Sequence, residues 1–414
     1  MVKREGRETI APLEGIRVVE IASFVAAPAA GTLLADLGAD VIKVEVPRGE
    51  MYRYARPRLE GIKHEFPEAP HFHMDNRGKR SIALDLMRLA ARRALMRVID
   101  GADIVLTNML PARLEKYGLD PGTLRCCKPA LIIAMVDGYG LQGDEAGKPA
   151  FDYAAYWART GFMDHMHEPD GPPAFQRPAI GDHAAALSLV TGILSALRMR
   201  DRSGEGQVVH VSLMHMGFYI LGSDTALTLA TKQAPPRHDR RRPRNPLWNQ
   251  YAVKGGRWIF LVMIESDRYW PRFCAAIERP DLLEDPRFDG AVSRYRNSEE
   301  LVKILSDVFA RRTLEEWEAA FHSHAIIWAP VRTLEEAIED PQARAMGIFQ
   351  TMHHPDAGDF ETVGPPLRLS AYEMRAGRPA PALGAHAAQI LAEAGLAEQE
   401  IRDALSDTEV TASG

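Results

Sequence analysis

Short runs of aliphatic and β-branched residues alternate with helical patterns along the N-terminal third of the chain. The apolar runs predict strands over residues 16–21, 41–45, 81–84, 103–106 and 131–136. Helical patterns lie between these runs, among them residues 88–100 and 111–117. Nearly continuous apolar strands that alternate with helices are typical of a parallel sheet covered by helices. The pattern therefore predicts an α/β fold with a Rossmann-like sheet, which would bind ligands at the carboxyl ends of its strands.

Two long apolar helices with a strand between them are predicted next. The pattern places one helix at residues 183–200, the strand at 207–212 and the second helix up to Leu229. Later patterns predict a strand at residues 257–262, followed by several amphipathic helices up to about residue 322. A last helix is predicted at residues 385–404.

Residues 232–246 differ in composition from the segments on either side. They contain several prolines, and five arginines lie between positions 237 and 244. A basic run of this kind either binds phosphate groups or forms a solvated linker. The prolines favour the linker, so we predict a domain boundary there.

Composition and charge narrow the class of protein. The 414 residues are 46% hydrophobic and 26% charged, as in ordinary globular proteins. The net charge of -6 lacks the basic surplus of nucleic-acid binders, so no nucleic-acid partner is expected. The three cysteines, of which Cys126 and Cys127 are adjacent, exclude a disulfide framework. The polar N-terminal segment and the absence of an 18-residue apolar run predict a cytoplasmic protein with no membrane partner.

Residues 138–143 spell GxGxxG directly after a predicted strand. A dinucleotide site requires a helix to begin at such a motif, so that the helix N-terminus can hold a pyrophosphate. Residues 144–149 instead have the composition of a loop, and no acidic residue follows at the position that would bind a ribose. We therefore interpret the motif as a glycine-rich connecting loop and not as a dehydrogenase site.

Two pairs of histidines resemble metal ligands in their spacing. His71 and His73 form one pair, and His165 and His167 form the other. Each pair is predicted to lie in a polar loop without the cysteine or carboxylate companions that catalytic metals use. We interpret all four as solvated loop histidines and predict no metal site.

Asp182 lies directly before the apolar helix that is predicted to begin at His183. One interpretation is an N-cap, whose carboxylate accepts hydrogen bonds from the first free N–H groups of the helix. The same geometry also favours an ionised carboxylate, which can act as a covalent nucleophile if it points into a cleft. The residues around Asp182 leave both interpretations open.

A series of motifs in fixed order changes this balance. The sequence resembles the family III CoA-transferases, the group that includes formyl-CoA transferase, carnitine CoA-transferase and α-methylacyl-CoA racemase. The motifs that carry the resemblance are residues 12–18, 34–45, 76–86, 102–105, 138–140, 181–182 and 202–207, with a later match at 383–386.

The resemblance implies a homodimer of interlocked, ring-like chains. Each chain would have a large Rossmann-like domain and a smaller α/β domain, with the C-terminal tail completing the large domain. We accordingly expect residues 1–231 to form the N-terminal part of a large CoA-binding domain. Residues 232–332 would form the small domain with its linker, and residues 333–414 would return to the large domain.

The resemblance also implies an activity and a set of site residues. The catalytic aspartate of the family matches Asp182, which would carry CoA as an aspartyl-CoA thioester between an acyl-CoA donor and a carboxylic acid acceptor. CoA is then a substrate, and no permanently bound cofactor is expected. The positions that match CoA-lining residues of the family are Val25, Ala26, Leu84, Asn108, Met109 and Lys116.

Three departures from the family pattern bear on the substrate. Lys116 replaces an arginine, which keeps the charge but loses the bidentate geometry. Val25 stands where formyl-transferring members have glutamine, so activity on formate or oxalate is not expected. The glycine-rich loop that covers the intermediate in formyl-CoA transferase is replaced by residues 244–249.

Two alternatives to a transferase stay open. Racemases of the family place a histidine directly before the aspartate that matches Asp152, because proton exchange at the α-carbon needs two bases. Phe151 occupies that position here, and His183 is expected to point away from Asp182. The second alternative is a CoA-binding protein without catalysis, against which the presence of Asp182 argues.

Aromatic and apolar residues near the expected acyl site suggest the kind of acceptor. As a group they favour a bulky apolar or aromatic acid, although each is equally consistent with ordinary core packing. They are Tyr153, Tyr156, Trp157, Phe162, Met163 and Trp248.

Overall fold

The computed structural model describes residues 10–54 and 68–406. This part of the chain divides into two compact units. The larger unit comprises the described residues up to Met163, Phe175–Ala234 and the described residues from Gln342 onward. The smaller unit comprises Asp164–Ala174 and Pro235–Pro341.

Six parallel strands form the sheet of the larger unit. They are β1 (Arg17–Ile21), β2 (Asp40–Glu45), β3 (Arg80–Ala83), β4 (Ile104–Thr107), β5 (Ile132–Asp137) and β6 (Val208–Ser212). Their order across the sheet is β3-β2-β1-β4-β5-β6, and every neighbouring pair is parallel. The predicted parallel α/β sheet is confirmed. The strand order reverses between β1 and β4, which is where α/β sheets of this kind bind ligands.

Helices connect the strands, and several carry an apolar face toward the core. The first nine are α1 (Ala26–Asp36), α2 (Pro70–Asn76), α3 (Leu89–Asp100), α4 (Pro111–Tyr117), α5 (Pro121–Cys127), α6 (Phe162–His165), α7 (Ile180–Ser203), α8 (Leu213–Ile220) and α9 (Gly222–Thr231). A 3₁₀ turn at Met51–Tyr54 and a π-helix at Tyr153–Ala158 lie between them. In α3 the buried side chains recur every three to four residues, which turns one stripe of the helix toward the sheet; they are Ala91, Ala94, Leu95, Val98 and Ile99.

Helix α7 is the longest helix of the larger unit. By length and composition alone it would be long enough to span a membrane, a test that the core helix of a soluble protein also passes. It packs against α1, β5 and β6. Since α1 follows β1 and α7 precedes β6, both helices run against the strand direction. Their N-termini therefore lie at the carboxyl edge of the sheet.

A buried ionic network lies beneath this edge. Glu20 of β1 pairs with Lys43 at 2.9 Å and with Lys79 at 2.7 Å, and Lys43 also pairs with Glu50 at 2.7 Å. All four side chains are buried. Glu50 accepts a 2.6 Å hydrogen bond from the backbone N–H of Phe24, a residue with a left-handed φ of 63°. The network thus fixes the turn between β1 and α1.

The smaller unit has its own sheet and core. Its antiparallel strands β7 (Trp248–Ala252), β8 (Trp258–Val262) and β9 (Trp328–Val331) pair in that order. Its helices are α10 (Ser266–Ala276), α11 (Asp281–Glu284), α12 (Ala291–Arg296), α13 (Ser298–Phe309), α14 (Leu314–Ser323) and α15 (Leu334–Ile338). Aromatic rings dominate the core, where Trp317 lies 5.1 Å from Phe309 and 5.5 Å from Phe321 between ring centroids.

The arginine-rich stretch after residue 234 is ion-paired within the smaller unit. Arg237 bonds Asp164, Arg241 pairs with Asp170 at 2.7 Å, and Arg240 lies 3.3 Å from Glu168. These contacts join the stretch to residues 164–174, a segment that the sequence pattern did not assign to a small domain. The three arginines are therefore ion-paired, while the side chains of Arg240 and Arg241 stay 44% and 63% exposed, as in a solvated segment.

The C-terminal segment belongs to the larger unit. It contains α16 (Pro341–Ala345), an antiparallel hairpin of β10 (Phe349–His354) and β11 (Gly358–Val363), and the helices α17 (Ala387–Glu393) and α18 (Glu398–Leu405). The single helix predicted over 385–404 is wrong, because Gly395 adopts a φ of 78° and divides it in two. Ile390, Leu391 and Ala404 join the same hydrophobic core as the strands, so this tail completes the larger unit.

Candidate active site

Asp182 lies on the first turn of α7, at the carboxyl edge of the sheet. The helix begins at Ile180, three residues before the predicted start, and its N-cap is Ala179 with a φ of 67°. The expectation that Asp182 itself is the N-cap is therefore wrong. Gly181 makes this start sterically feasible, because a Cβ atom there would lie 2.6 Å from Cγ of Tyr156.

Asp152 ties the π-helix to the first turn of α7. Its Oδ2 atom accepts hydrogen bonds from the backbone N–H of Gly181 at 3.2 Å and from the side chain of Gln176 at 2.6 Å. Burial raises the pKa of Asp152 in spite of these hydrogen bonds, which favour the ionised form. The carboxyl group thus holds the backbone beside Asp182 and adds a second acidic group to the site.

The side chain of His183 contacts a buried carboxyl group on α2. Its Nε2 atom lies 3.0 Å from Oδ1 of Asp75, whose Oδ2 accepts a 3.1 Å hydrogen bond from the hydroxyl of Tyr52. The carboxyl group of Asp75 is buried. Burial lowers the pKa of His183, but the hydrogen bond and the charge of Asp75, aided by Asp182, outweigh it and raise that pKa.

The surroundings of Asp182 disfavour its charge. Burial and the nearby carboxyl group of Asp152 raise its pKa from the usual 3.8 to about 7, with a smaller contribution from Asp75. His183 acts in the opposite direction and lowers it. A carboxyl group with such a pKa exchanges its proton near neutral pH, as acids and nucleophiles in active sites do.

Four of the six predicted CoA positions come together at the switch point of the sheet. Val25 is the N-cap of α1, and Ala26 is its first residue. Asn108 and Met109 follow β4, the neighbour of β1. Asn108 bridges the two connections, since its side chain accepts from the backbone N–H of Ser23 at 3.1 Å and donates to the Ser23 carbonyl at 2.6 Å.

The other two predicted CoA positions are on different elements. Leu84 follows β3, and its side chain is fully buried in the hydrophobic core beneath the sheet. Lys116 is on the exposed side of α4, with its Nζ atom 5.8 Å from the ring centroid of Tyr117.

The residues predicted for the acyl site divide into two groups. Tyr156 and Trp157 are buried and stack on Phe162 with centroids 5.1 and 5.2 Å away, which is core packing. Tyr153 lies 5.7 Å from Phe175, Met163 is half-buried in the larger unit, and Trp248 is on β7 of the smaller unit.

Sequence reasoning missed a second set of rings. Phe24 packs edge-on against Phe151 with centroids 5.2 Å apart, and its ring centroid lies 6.4 Å from that of Tyr52. Phe151 is 57% exposed, so this group offers an accessible apolar surface. Their positions in the sequence could have indicated them, because Phe24 follows the first strand and Phe151 precedes Asp152.

The expectation that His71 and His73 lie in a polar loop is wrong. Both are on α2, which begins with Pro70, and His73 is buried, which lowers its pKa to about 4 with help from His354 and Arg53. Glu68, His73 and His354 bring ligand-type atoms within 4.8 Å of one another.

The hydrogen bonds of His354 in this cluster place its ring proton on Nε2, the nitrogen with which it would have to bind a metal. Nδ1 of His354 accepts from the backbone N–H groups of Asp356 and Ala357 at 3.1 and 3.2 Å. In a neutral imidazole the proton then sits on Nε2, which faces Glu68 at 3.5 Å. His165 is the last residue of α6, and Nδ1 of His167 lies 2.6 Å from the carbonyl of Glu168.

The interpretation of the GxGxxG motif as a loop is confirmed. Residues 138–150, all of which the structure describes, form turns and irregular backbone. Asp137 accepts a 2.7 Å hydrogen bond from the N–H of Gly140, which adopts a φ of 96°. The loop runs from β5 to Asp152 and has no helix N-terminus to receive a pyrophosphate.

Comparison with known proteins decides which family has this site. The model of CoA-transferase family III matches residues 13–387. The chain belongs to CoA-transferase family III. It is 32% identical over 391 residues to (R)-2-hydroxy-4-methylpentanoate CoA-transferase of Clostridioides difficile, covering 94% of this chain and 97% of that one. It is also 32% identical to cinnamoyl-CoA:phenyllactate CoA-transferase of Clostridium sporogenes, covering 96% of each chain.

The fold agrees with this assignment. The crystal structure of a CAIB/BAIF family protein from Brucella suis superposes with a TM-score of 0.82 at 30% identity and covers 93% of this chain and 99% of that one. The predicted family is confirmed, and this family III protein is a CoA-transferase enzyme. CoA thioesters are accordingly its substrates.

Proposed function

We propose that this family III CoA-transferase moves CoA from an acyl-CoA donor to a bulky apolar or aromatic carboxylic acid, through an aspartyl-CoA thioester on Asp182. The position of Asp182 carries the proposal. Its carboxyl group lies at the carboxyl edge of the sheet, on a helix turn held by Asp152 and Gly181, and it exchanges its proton near neutral pH.

Four exchanges at carbonyl carbon complete the proposed reaction. The Asp182 carboxylate attacks the donor thioester, the C–S bond breaks, and a mixed anhydride and a CoA thiolate form. The thiolate attacks the aspartyl carbonyl, releasing the donor acid and leaving aspartyl-CoA. The acceptor carboxylate attacks aspartyl-CoA, which releases the thiolate and forms a second mixed anhydride. The thiolate then attacks the acceptor's acyl carbonyl, which yields the new acyl-CoA and restores Asp182.

The proposed acceptor class rests on the rings around the turn after β1. Phe24, Tyr52 and Phe151 present apolar surface, and Phe151 is largely exposed. Val25 offers no hydrogen bond to a small polar acid. The relatives named above act on 4-methyl-2-hydroxypentanoate and phenyllactate, which are bulky apolar acids. We expect aryl and branched-chain acids to be better acceptors than formate, and equal turnover with formate would contradict this assignment.

Intact mass spectrometry after incubation with succinyl-CoA tests the covalent step. Hydroxylamine traps the activated carboxylate as a hydroxamate, and peptide mapping locates it. The wild type should carry the adduct on the Asp182 peptide, whereas Asp182→Ala should not. Asp281→Ala is the matched control, because Asp281 also lies on a helix first turn but in the smaller unit.

Two other results would reassign the function. Deuterium that enters the α-carbon of a 2-methylacyl-CoA in heavy water, without any adduct, would favour a racemase. Neither signal with several acyl-CoA donors would favour a CoA-binding protein without catalysis.

The proposal includes a homodimer as the active form. Helices α8 and α9 of a single chain leave large apolar side chains exposed, a pattern typical of surfaces that another protein covers; they are Phe218, Tyr219, Ile220, Leu227 and Leu229. Sedimentation velocity should give twice the chain mass of 45.9 kDa, and a mass near one chain would contradict the dimer.

A further inference from the structure

We propose that His183 neutralises the buried Asp75 carboxylate beside Asp182, so that Asp75 does not disfavour the ionised, nucleophilic form of Asp182. This inference rests on the proposed role of Asp182 as the nucleophile. His183 is then a positioning residue, since it acts through Asp182 and not on the substrate.

The first step of the argument is the isolation of the Asp75 carboxylate. Its side chain is 3% exposed, and its hydrogen-bond partners are the Tyr52 hydroxyl and Nε2 of His183. Lys79 donates a hydrogen bond to the backbone carbonyl of Asp75, but its ion pair is with Glu20. Within residues 10–54 and 68–406, His183 is thus the one cation paired with this carboxylate.

A buried carboxylate without a counterion is strongly disfavoured, so Asp75 and His183 stabilise each other as a charged pair. The ring of His183 is fixed by this contact, while 38% of its side chain stays exposed. Its other nitrogen, Nδ1, forms no hydrogen bond to any residue that the structure describes. A positive charge is therefore held in place next to the first turn of α7.

The second step is the balance of charges around Asp182. Asp152 faces it from the start of the π-helix, Asp75 from α2 and Tyr52 from the 3₁₀ turn, while Glu50 acts on Tyr52. These groups are acidic and disfavour a further negative charge. Among these side chains, His183 acts in the opposite direction and favours the ionised form of Asp182.

The charge of His183 therefore offsets that of Asp75. Removing His183 alone leaves Asp182 facing acidic groups only, whereas removing both members of the pair restores the balance. An opposite charge within about 4–6 Å of a carboxyl group typically lowers its pKa by about 1–3. His183 follows Asp182 directly in the chain, so its loss should raise the pKa of Asp182 by a similar amount.

The pH dependence of kcat/KM for succinyl-CoA tests this inference, because its acid limb reports ionisation of the free enzyme. In His183→Asn the acid limb should move to a pH about 1–3 higher. Asp152→Asn should move it to lower pH, because a like charge is removed. The double variant His183→Asn/Asp75→Asn should return toward the wild type, and His183→Lys should keep a positive charge and stay near it.

His210→Asn is the matched control. His210 forms the same kind of contact, with Nε2 2.8 Å from Oδ2 of Asp137, but it is not among the groups that act on Asp182. Its acid limb should stay where the wild type has it. Thermal melting of each variant checks that the fold is intact, and His183→Gln serves if His183→Asn does not fold.

A purely structural role would lower kcat/KM equally at every pH and leave the acid limb in place, and that result would overturn the inference. The same holds if the double variant moves as far as His183→Asn. Failure of the proposed function looks different, because the wild type itself would then form no adduct at Asp182.

Discussion

The carboxyl group of Asp182 should destabilise the folded protein at neutral pH, so that Asp182→Asn is more stable than the wild type. Asparagine has the same shape but no charge to bury. The ionised form of Asp182 is disfavoured in the fold by burial and by Asp152. Active-site groups commonly lower the stability of the fold in this way, because activity requires them.

The size of the effect follows from the raised pKa. Raising it from 3.8 to about 7 disfavours the ionised form by about 4 kcal/mol, at 1.36 kcal/mol per pKa unit. Because the folded pKa lies above the unfolded one, both states are protonated well below pH 3.8 and the cost vanishes there. The cost grows as pH rises, to about 2 kcal/mol at pH 5, and is complete above pH 7.

Thermal melting of both proteins between pH 5 and pH 8 measures this difference. For 414 residues, an unfolding entropy of about 2.1 cal/mol/K per residue converts about 4 kcal/mol into a rise of about 5 °C in Tm. The gap between Asp182→Asn and the wild type should widen with pH. A gap that is the same at pH 5 and pH 8, or a less stable variant at pH 8, would refute the reasoning.

Two further substitutions test the supports of the site. Lys43→Met leaves Glu20 and Glu50 buried without their shared cation, and breaking a buried pair typically costs about 3–5 kcal/mol, which denaturant unfolding should detect. Gly181→Ala puts a Cβ atom 2.6 Å from the ring of the buried Tyr156, so it should lower both kcat and Tm, and an unchanged kcat and Tm would contradict the close packing described here.

Local patterns were sufficient to predict the elements of the sheet. The strands are short apolar runs bounded by polar residues, and a parallel strand buried on both faces needs little beyond that pattern. Each predicted strand of the first sheet lies within a residue or two of its observed bounds. The start of α7 was misplaced because Ala179 adopts a left-handed backbone that no propensity favours.

The site depends on contacts between distant positions, which is why less of it could be predicted. Asp75 and His183 are 108 residues apart, and neither has a local pattern that marks it as a partner of the other. The ion pairs of the arginine-rich stretch likewise join residues about 70 positions apart. Asp182 was found because its motif resembles a known family, whereas its surroundings become visible only in the fold.

The buried ionic network explains how a turn with unfavourable backbone geometry persists beside the site. Phe24 has a φ of 63°, which costs a non-glycine residue about 1–3 kcal/mol unless its surroundings hold it. Its N–H is held by Glu50, Glu50 by Lys43, and Lys43 by Glu20 of the adjacent strand. Well-packed apolar residues would often serve stability equally well at such positions. Apolar residues could not accept a hydrogen bond from the N–H of Phe24, so the network serves to place the turn that leads into α1. Lys43→Met should therefore impair catalysis as well as stability.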